Sequence, residues 1–114
     1  MAFVTARLNS ALDAALSGVT HAQLHTGDPG GSGTSNVAAE MSARCALTGI
    51  GSASSGADSA TGTWTITGAG GPYTHFSLWT ALSAGTFVGS GTLDPDETFA
   101  GAGTLAFTLN ATAT

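Results

Sequence analysis

The sequence predicts a mainly β fold: an antiparallel β-sandwich, jelly-roll or Ig-like, with one N-terminal α-helix. Three observations predict it. Apolar residues alternate with small polar ones in "GTWTI", "THFSLW" and "GTLAFTL", the pattern of strands buried on one face. Clusters of Gly, Pro, Ser and Asp separate these stretches. Only the first 18 residues carry a helical period instead. The chain therefore divides into an N-terminal helix or arm, 1–18, and a β-sandwich domain, 19–114.

The elements follow in order. Val4, Leu8, Leu12 and Leu16 recur every fourth residue, and the intervening alanines favour helix over 4–17, with Gly18 as its stop. This narrow apolar stripe docks either on the domain's own sheet or on a neighbouring subunit, and the sequence does not choose. Strands are expected at 20–26, 42–48 and 85–93 as well as in the three alternating stretches. Trp64 and Ile66 share one face, against Thr63, Thr65 and Thr67. Phe76, Leu78 and Leu82 oppose Trp79 and Ala81. Leu105, Phe107 and Leu109 point inward, and Thr104, Ala106, Thr108 and Asn110 outward. Turns or loops are expected at 27–33, 49–62, 68–72 and 100–103, with 49–62 flexible by composition. Six or more short strands at this spacing suggest a sandwich or barrel.

Composition narrows the function. A chain of 114 residues is most simply one domain. It has no Lys, and its two cationic side chains are Arg7 and Arg44, giving a formal net charge of −5. Neutralising nucleic-acid phosphates needs several cations, so nucleic acid is excluded as a partner, and anionic membranes are disfavoured for the same reason. No apolar run approaches a membrane span. The start has no basic n-region and is not read as a signal peptide. Cys45 is the only cysteine, so no intrachain disulfide forms. The abundance of Gly, Ala, Ser and Thr gives a small, uncharged, hydroxylated surface. Such a surface suits packing against other proteins, because little rotamer freedom is frozen on contact, and it equally suits a plain antiparallel sheet with Thr on its outer face; composition does not separate the two.

Candidate sites are few. "LHTGDPGGSG" lacks the Lys and the following helix of a phosphate loop, and its glycine spacing is wrong for a dinucleotide fingerprint. His21, His25, His75 and Asp28 do not make a metal set by spacing; no metal and no cofactor is expected. His25 ends a strand, and Asp28, Pro29 and Gly30 make a tight turn: Pro29 presets φ, Gly30 takes a positive φ and Asp28 bonds backbone amides. Asp94, Asp96 and Glu97 offer oxygens to a cation but match no calcium loop, and read as a second Asp-Pro turn. No nucleophile elbow occurs, and so few ionisable groups argue against an enzyme. Trp64, Tyr73 and Trp79 are the residues a sugar-stacking platform would use, with Tyr73 exposed after Gly-Gly-Pro. Asn110 begins a glycosylation sequon of the kind that arises by chance.

Several stretches occur in one order: "LHTGDPGGSGTSN" at 24–36, Ala43-Arg44, "GTWTI" at 62–66, and the run from Thr74 to Leu109. Taken together, the set resembles a family of small virion proteins of tailed bacteriophages, especially those of actinobacteria. The family's Gly-Gly-x-Tyr before the Arg is replaced here by Glu40-Met41-Ser42-Ala43. The resemblance implies a virion structural role without catalysis, and it carries His25, Asp28, Pro29 and Gly30 over as a turn motif. A compact chain without a fibre shaft points to a head-decoration or minor capsid protein, made in the host cytoplasm. It would bind and stabilise the outer surface of the major capsid protein lattice and contact copies of itself, for example as a trimer. Val4, Leu8, Leu12, Leu16 and Tyr73 are the candidate contacts. The alternatives are a minor tail or tail-fibre-base protein and, in another class, a carbohydrate-binding module.

Overall fold

The computed structural model describes residues 4–112. Helix α1 spans Thr5–Ala15, followed by strands β1 (His21–His25), β2 (Cys45–Ala46), β3 (Ala57–Ile66), β4 (Gly70–Trp79), β5 (Phe87–Phe99) and β6 (Gly103–Thr112), with one 3₁₀ turn at Ala39–Met41. The strands form two antiparallel sheets, ordered β2-β1-β4-β5 and β3-β6. The β4–β5 hairpin belongs to one sheet, while the strands that precede and follow it pair in the other. This is the expected sandwich, with fewer strands than the seven or eight of an Ig domain or a jelly roll.

The two predicted inner faces meet in the core. Trp64 and Ile66 of β3 lie against Leu105, Phe107 and Leu109 of β6 and against Leu24 and Leu78 of the larger sheet. The Trp64 and Phe107 rings are 5.1 Å apart, and Phe76 of β4 tilts onto Phe107 at 4.8 Å. Each fully buried large side chain of this kind contributes about 1.5–3 kcal/mol by leaving water. The outer face of β6 is Thr104, Ala106, Thr108 and Asn110, all exposed.

Helix α1 joins the same core through Leu12 and Leu16. No side chain caps its N-terminus, and its first turn has no acid. Tertiary contacts hold it instead. Asn9 Oδ1 accepts from the Gly56 amide at 2.7 Å, and Asp13 Oδ1 from the Ala53 amide at 2.7 Å.

Five expectations are corrected. Residues 57–62, read as flexible loop, form the first half of β3 and pair with β6 from Ala57↔Thr112 onward. Gly70-Gly71-Pro72, read as a turn, begins β4. The strand expected at 42–48 shrinks to Cys45–Ala46, with an isolated bridge at Thr48↔Thr61. Asp94-Pro95 does not reverse the chain. It sits in β5 as a wide bulge, where His75 pairs Thr92 and Tyr73 pairs Glu97, leaving four residues opposite Thr74 alone. Leu82 falls beyond β4 and is 61% exposed, outside the inner face assigned to it.

Candidate functional site

The outer face of the larger sheet has an unusual layer. Across β1 and β4, His21 pairs Trp79, Gln23 pairs Ser77 and His25 pairs His75. All six side chains project away from the core, because Ala22, Leu24, Phe76 and Leu78 take the inner positions. Such a row normally faces water. Here His25 and Ser77 are wholly buried, and Gln23 and Trp79 nearly so. The segment between β1 and β2 folds back over them.

Hydrogen bonds fix that cover. His25 Nδ1 bonds the Ser35 carbonyl at 2.8 Å, and its Nε2 lies 2.7 Å from Ser77 Oγ. The Trp79 indole N–H donates to the same Oγ at 2.8 Å. Donor logic assigns most of the protons. A carbonyl only accepts, so Nδ1 carries the imidazole proton. The indole only donates, so Ser77 accepts from Trp79, and to an unprotonated Nε2 it gives its own proton. Burial, the larger influence, together with nearby His75, lowers the ring's pKa below the usual 6.5 against the opposing bonds to Ser35 and Asn36, which favours the neutral ring.

The turn motif closes the cover. Asp28 Oδ1 accepts from the Gly30 amide at 2.9 Å, Pro29 is buried, and Gly30 has φ +78°. Asn36 Nδ2 donates to the Asp28 carbonyl at 2.9 Å, and the Ser35 amide to the Pro29 carbonyl at 3.0 Å. Gly33 lies so close to Phe87 that an added Cβ would fall 2.4 Å from the ring. Farther along, Gln23 Nε2 donates to the Ser42 carbonyl at 2.6 Å. The Arg44 guanidinium stacks over Trp79 at 3.8 Å, and its Nη1 donates to the Ala81 and Ala84 carbonyls at 2.9 and 2.7 Å. One of the chain's two cations thus pins the β4–β5 hairpin to the cover.

Chemically, Ser77 and His25 have the separation of a nucleophile and its base. They cannot act as one in this geometry: both are sealed, and the serine oxygen already accepts the indole proton. Both imidazole nitrogens of His25 are engaged, so it presents no free ligand atom. His75 and His21 bond neighbouring threonine hydroxyls through Nδ1. Among the described residues no three His, Cys, Asp or Glu side chains converge on a point. Burial pushes the Cys45 thiol up to about 11, which makes it inert at neutral pH.

The structure separates the other expected residues. Tyr73, read as exposed, is wholly buried beside Phe99, with its hydroxyl 3.5 Å from Glu40 Oε2. Burial, with the Glu40 charge adding to it, raises its pKa. Trp64 and Trp79 are buried too, which removes the aromatic platform on which the sugar-binding alternative relied. Leu12 and Leu16 belong to the chain's own core, so of the candidate contacts Val4 is exposed and Leu8 half-buried. Asp94 and Asp96 are exposed on the bulge and Glu97 is half-buried.

Sequence reasoning missed two features. One is the buried row itself. Its local signal was present, because His21-Ala22-Gln23-Leu24-His25 and His75-Phe76-Ser77 alternate with hydrogen-bonding residues on the outer side. The other is a groove of about 860 Å³ that opens between β5 and β6, with Phe76, Val88 and Leu93 on its walls and Asp94 and Glu97 at its rim.

Fold and site together define a small β-sandwich module whose polar side chains are spent on holding its own long loop in place. The chain belongs to the family described as podophage GP4 fiber I protein gp80, whose model matches residues 5–114. It is therefore a structural protein of the phage virion, as the resemblance implied. No curated protein matches the chain.

Proposed function

We propose that the chain is a structural subunit of the phage tail-fibre apparatus, without catalytic activity. The observation that carries this reading is the family match over 5–114, whose description names a fibre protein. It favours the tail-side alternative over head decoration, a reading that rested on compact size and the lack of a shaft. The partners are then neighbouring tail or fibre proteins and further copies of the chain, in place of the major capsid protein. The surface fits this role. The outer face of β3 and β6 is a field of Thr, Ser, Ala and Asn without a cation. Contacts made there depend on shape and backbone and only weakly on salt. Val4, with Leu8 beside it, offers a further apolar contact at the start of α1.

Immunogold labelling of intact virions with an antibody to this chain tests the proposal. Gold on the tail is the expected result, and gold over the head would overturn it. Densitometry of purified particles adds a second reading: a fibre component is present in far fewer copies than the major capsid protein, whereas a decoration protein approaches it.

A further inference from the structure

One sheet has four strands and the other two, so the smaller cannot cover the larger. The contacts show which part is left bare. At one side, β3 lies by β2: an added Cβ at Gly62 would meet the Ala46 carbonyl at 2.8 Å, and Thr48 bridges Thr61. In the middle, β6 lies under β4, through Phe107 against Phe76. Among the described residues no strand faces β5, and the 860 Å³ groove, lined also by Ala15 and Leu16 at the end of α1, lies beneath it. Its walls include Phe76, Val88 and Leu93, which are only partly buried.

The groove is bounded by two strand edges that are unpaired among the described residues, and they differ. The β5 edge carries Pro95, Asp94, Asp96 and a wide bulge. Those are the devices that stop one edge pairing with another. The β6 edge has ten residues, no Pro and no charge, and a regular ladder to β3 on its other side. Its outward amides and carbonyls are an unblocked template. The charge around the groove is of one sign. Asp94 and Glu97 line it, and no Lys or Arg does.

We propose that this groove receives an extended strand of another protein, apolar at alternate positions and flanked by Lys or Arg, which adds to the edge of β6. The strand would complete the smaller sheet beneath β5 and bury Phe76, Val88 and Leu93, while its cations meet Asp94 and Glu97. A second copy is a poor occupant. Each chain carries a formal charge of −5, and Arg44 is already committed to Trp79, Ala81 and Ala84. The inference stands independently of the fibre assignment, because it is tested on the purified chain.

The probes are two synthetic peptides of alternating Val and Thr, one flanked by Lys and one by Glu, titrated into the chain and followed by amide NMR. The expected result is that the Lys-flanked peptide shifts amides in 103–112 and 88–97 and slows exchange of the outward β6 amides. It should bind about tenfold tighter than the Glu-flanked peptide. Asp94→Lys with Glu97→Lys, the first exposed and the second half-buried, should reverse that preference, with circular dichroism confirming that the variant is folded. The proposal fails if neither peptide shifts those amides, or if the two bind equally. It also fails if a Lys-flanked peptide with Pro at its centre, which cannot pair, binds as well. Self-association of the chain through β6 would assign the groove to a second copy and overturn the proposal too.

Discussion

Removing one oxygen, in Ser77→Ala, should destabilise the fold far more than its size suggests. Ser77 Oγ is the single partner of two buried groups, accepting from the Trp79 indole at 2.8 Å and donating to His25 Nε2 at 2.7 Å. Alanine leaves both without a partner in a place that water does not reach, since Ser77 and His25 are 0% exposed. His25 cannot recover by switching tautomer, because Nδ1 would then lose its bond to Ser35. An orphaned buried polar group costs about 1–3 kcal/mol. Two such groups, less the desolvation that the serine hydroxyl no longer incurs, give a loss of about 3 kcal/mol. In a domain of this size that lowers Tm by roughly 12 °C. Urea unfolding followed by tryptophan fluorescence, with thermal melts by circular dichroism, measures it. The control is Ser90→Ala, directly across the ladder from Ser77 but exposed, which should stay within about 0.5 kcal/mol of the parent. A loss below about 1 kcal/mol for Ser77→Ala would refute the reasoning, because it would mean that the row is wet or its bonds are not made.

Other consequences of the covered row can be checked in parallel. The folded pKa of His25 lies below its unfolded value near 6.5, so this stabilisation is complete above pH 6.5 and is lost as pH falls through the folded pKa. The urea midpoint should therefore drop between pH 7 and pH 5, and the imidazole signals of His25 should titrate below pH 6.5 in NMR. Gly33→Ala places a methyl 2.4 Å from the Phe87 ring at a residue with φ +76° and should cost about 2 kcal/mol or more. Gly31→Ala, which meets nothing within 4 Å, should be near neutral in the same assay. Arg44→Lys should lose the flat stack on Trp79 and the paired carbonyl contacts. A red-shifted tryptophan emission and a loss of about 1 kcal/mol are expected.

The sheets were legible where chemistry alternates by residue. Leu105, Phe107 and Leu109 alternate with Thr104, Ala106 and Thr108, and each takes the face its type predicts. Strand β3 was half legible. Trp64 and Ile66 mark its second half, but in Ala57–Gly62 the inward positions are Asp58, Ala60 and Gly62, of which only Ala60 is buried, so a polar and two small residues hid a strand that its pairing with β6 nonetheless enforces. Asp94-Pro95-Asp96 has the composition of a turn, and only the continued pairing at Tyr73↔Glu97 and Gly70↔Phe99 makes it a bulge. At Asp28-Pro29-Gly30 the local features match the expectation, with the Asp28 carboxylate on the Gly30 amide and a positive φ at Gly30, but the hydrogen-bonded turn falls at Gly30–Gly33. What this segment anchors was not legible. The His25–Ser77 bond joins residues 52 apart, and alternation alone places their side chains on the outer face, where water is expected. Tyr73 was misplaced for a related reason: its Gly-Gly-Pro flank looks like a turn, but the segment is already paired with β5.

The proposed role of this virion protein is that of a building block of the tail fibre. The most direct test is a reconstruction of the intact virion that locates the chain's density. The account predicts a two-layer β module on the tail, seated against neighbouring fibre proteins. Density at the symmetry positions of the head lattice, or its absence from the finished particle, would contradict it.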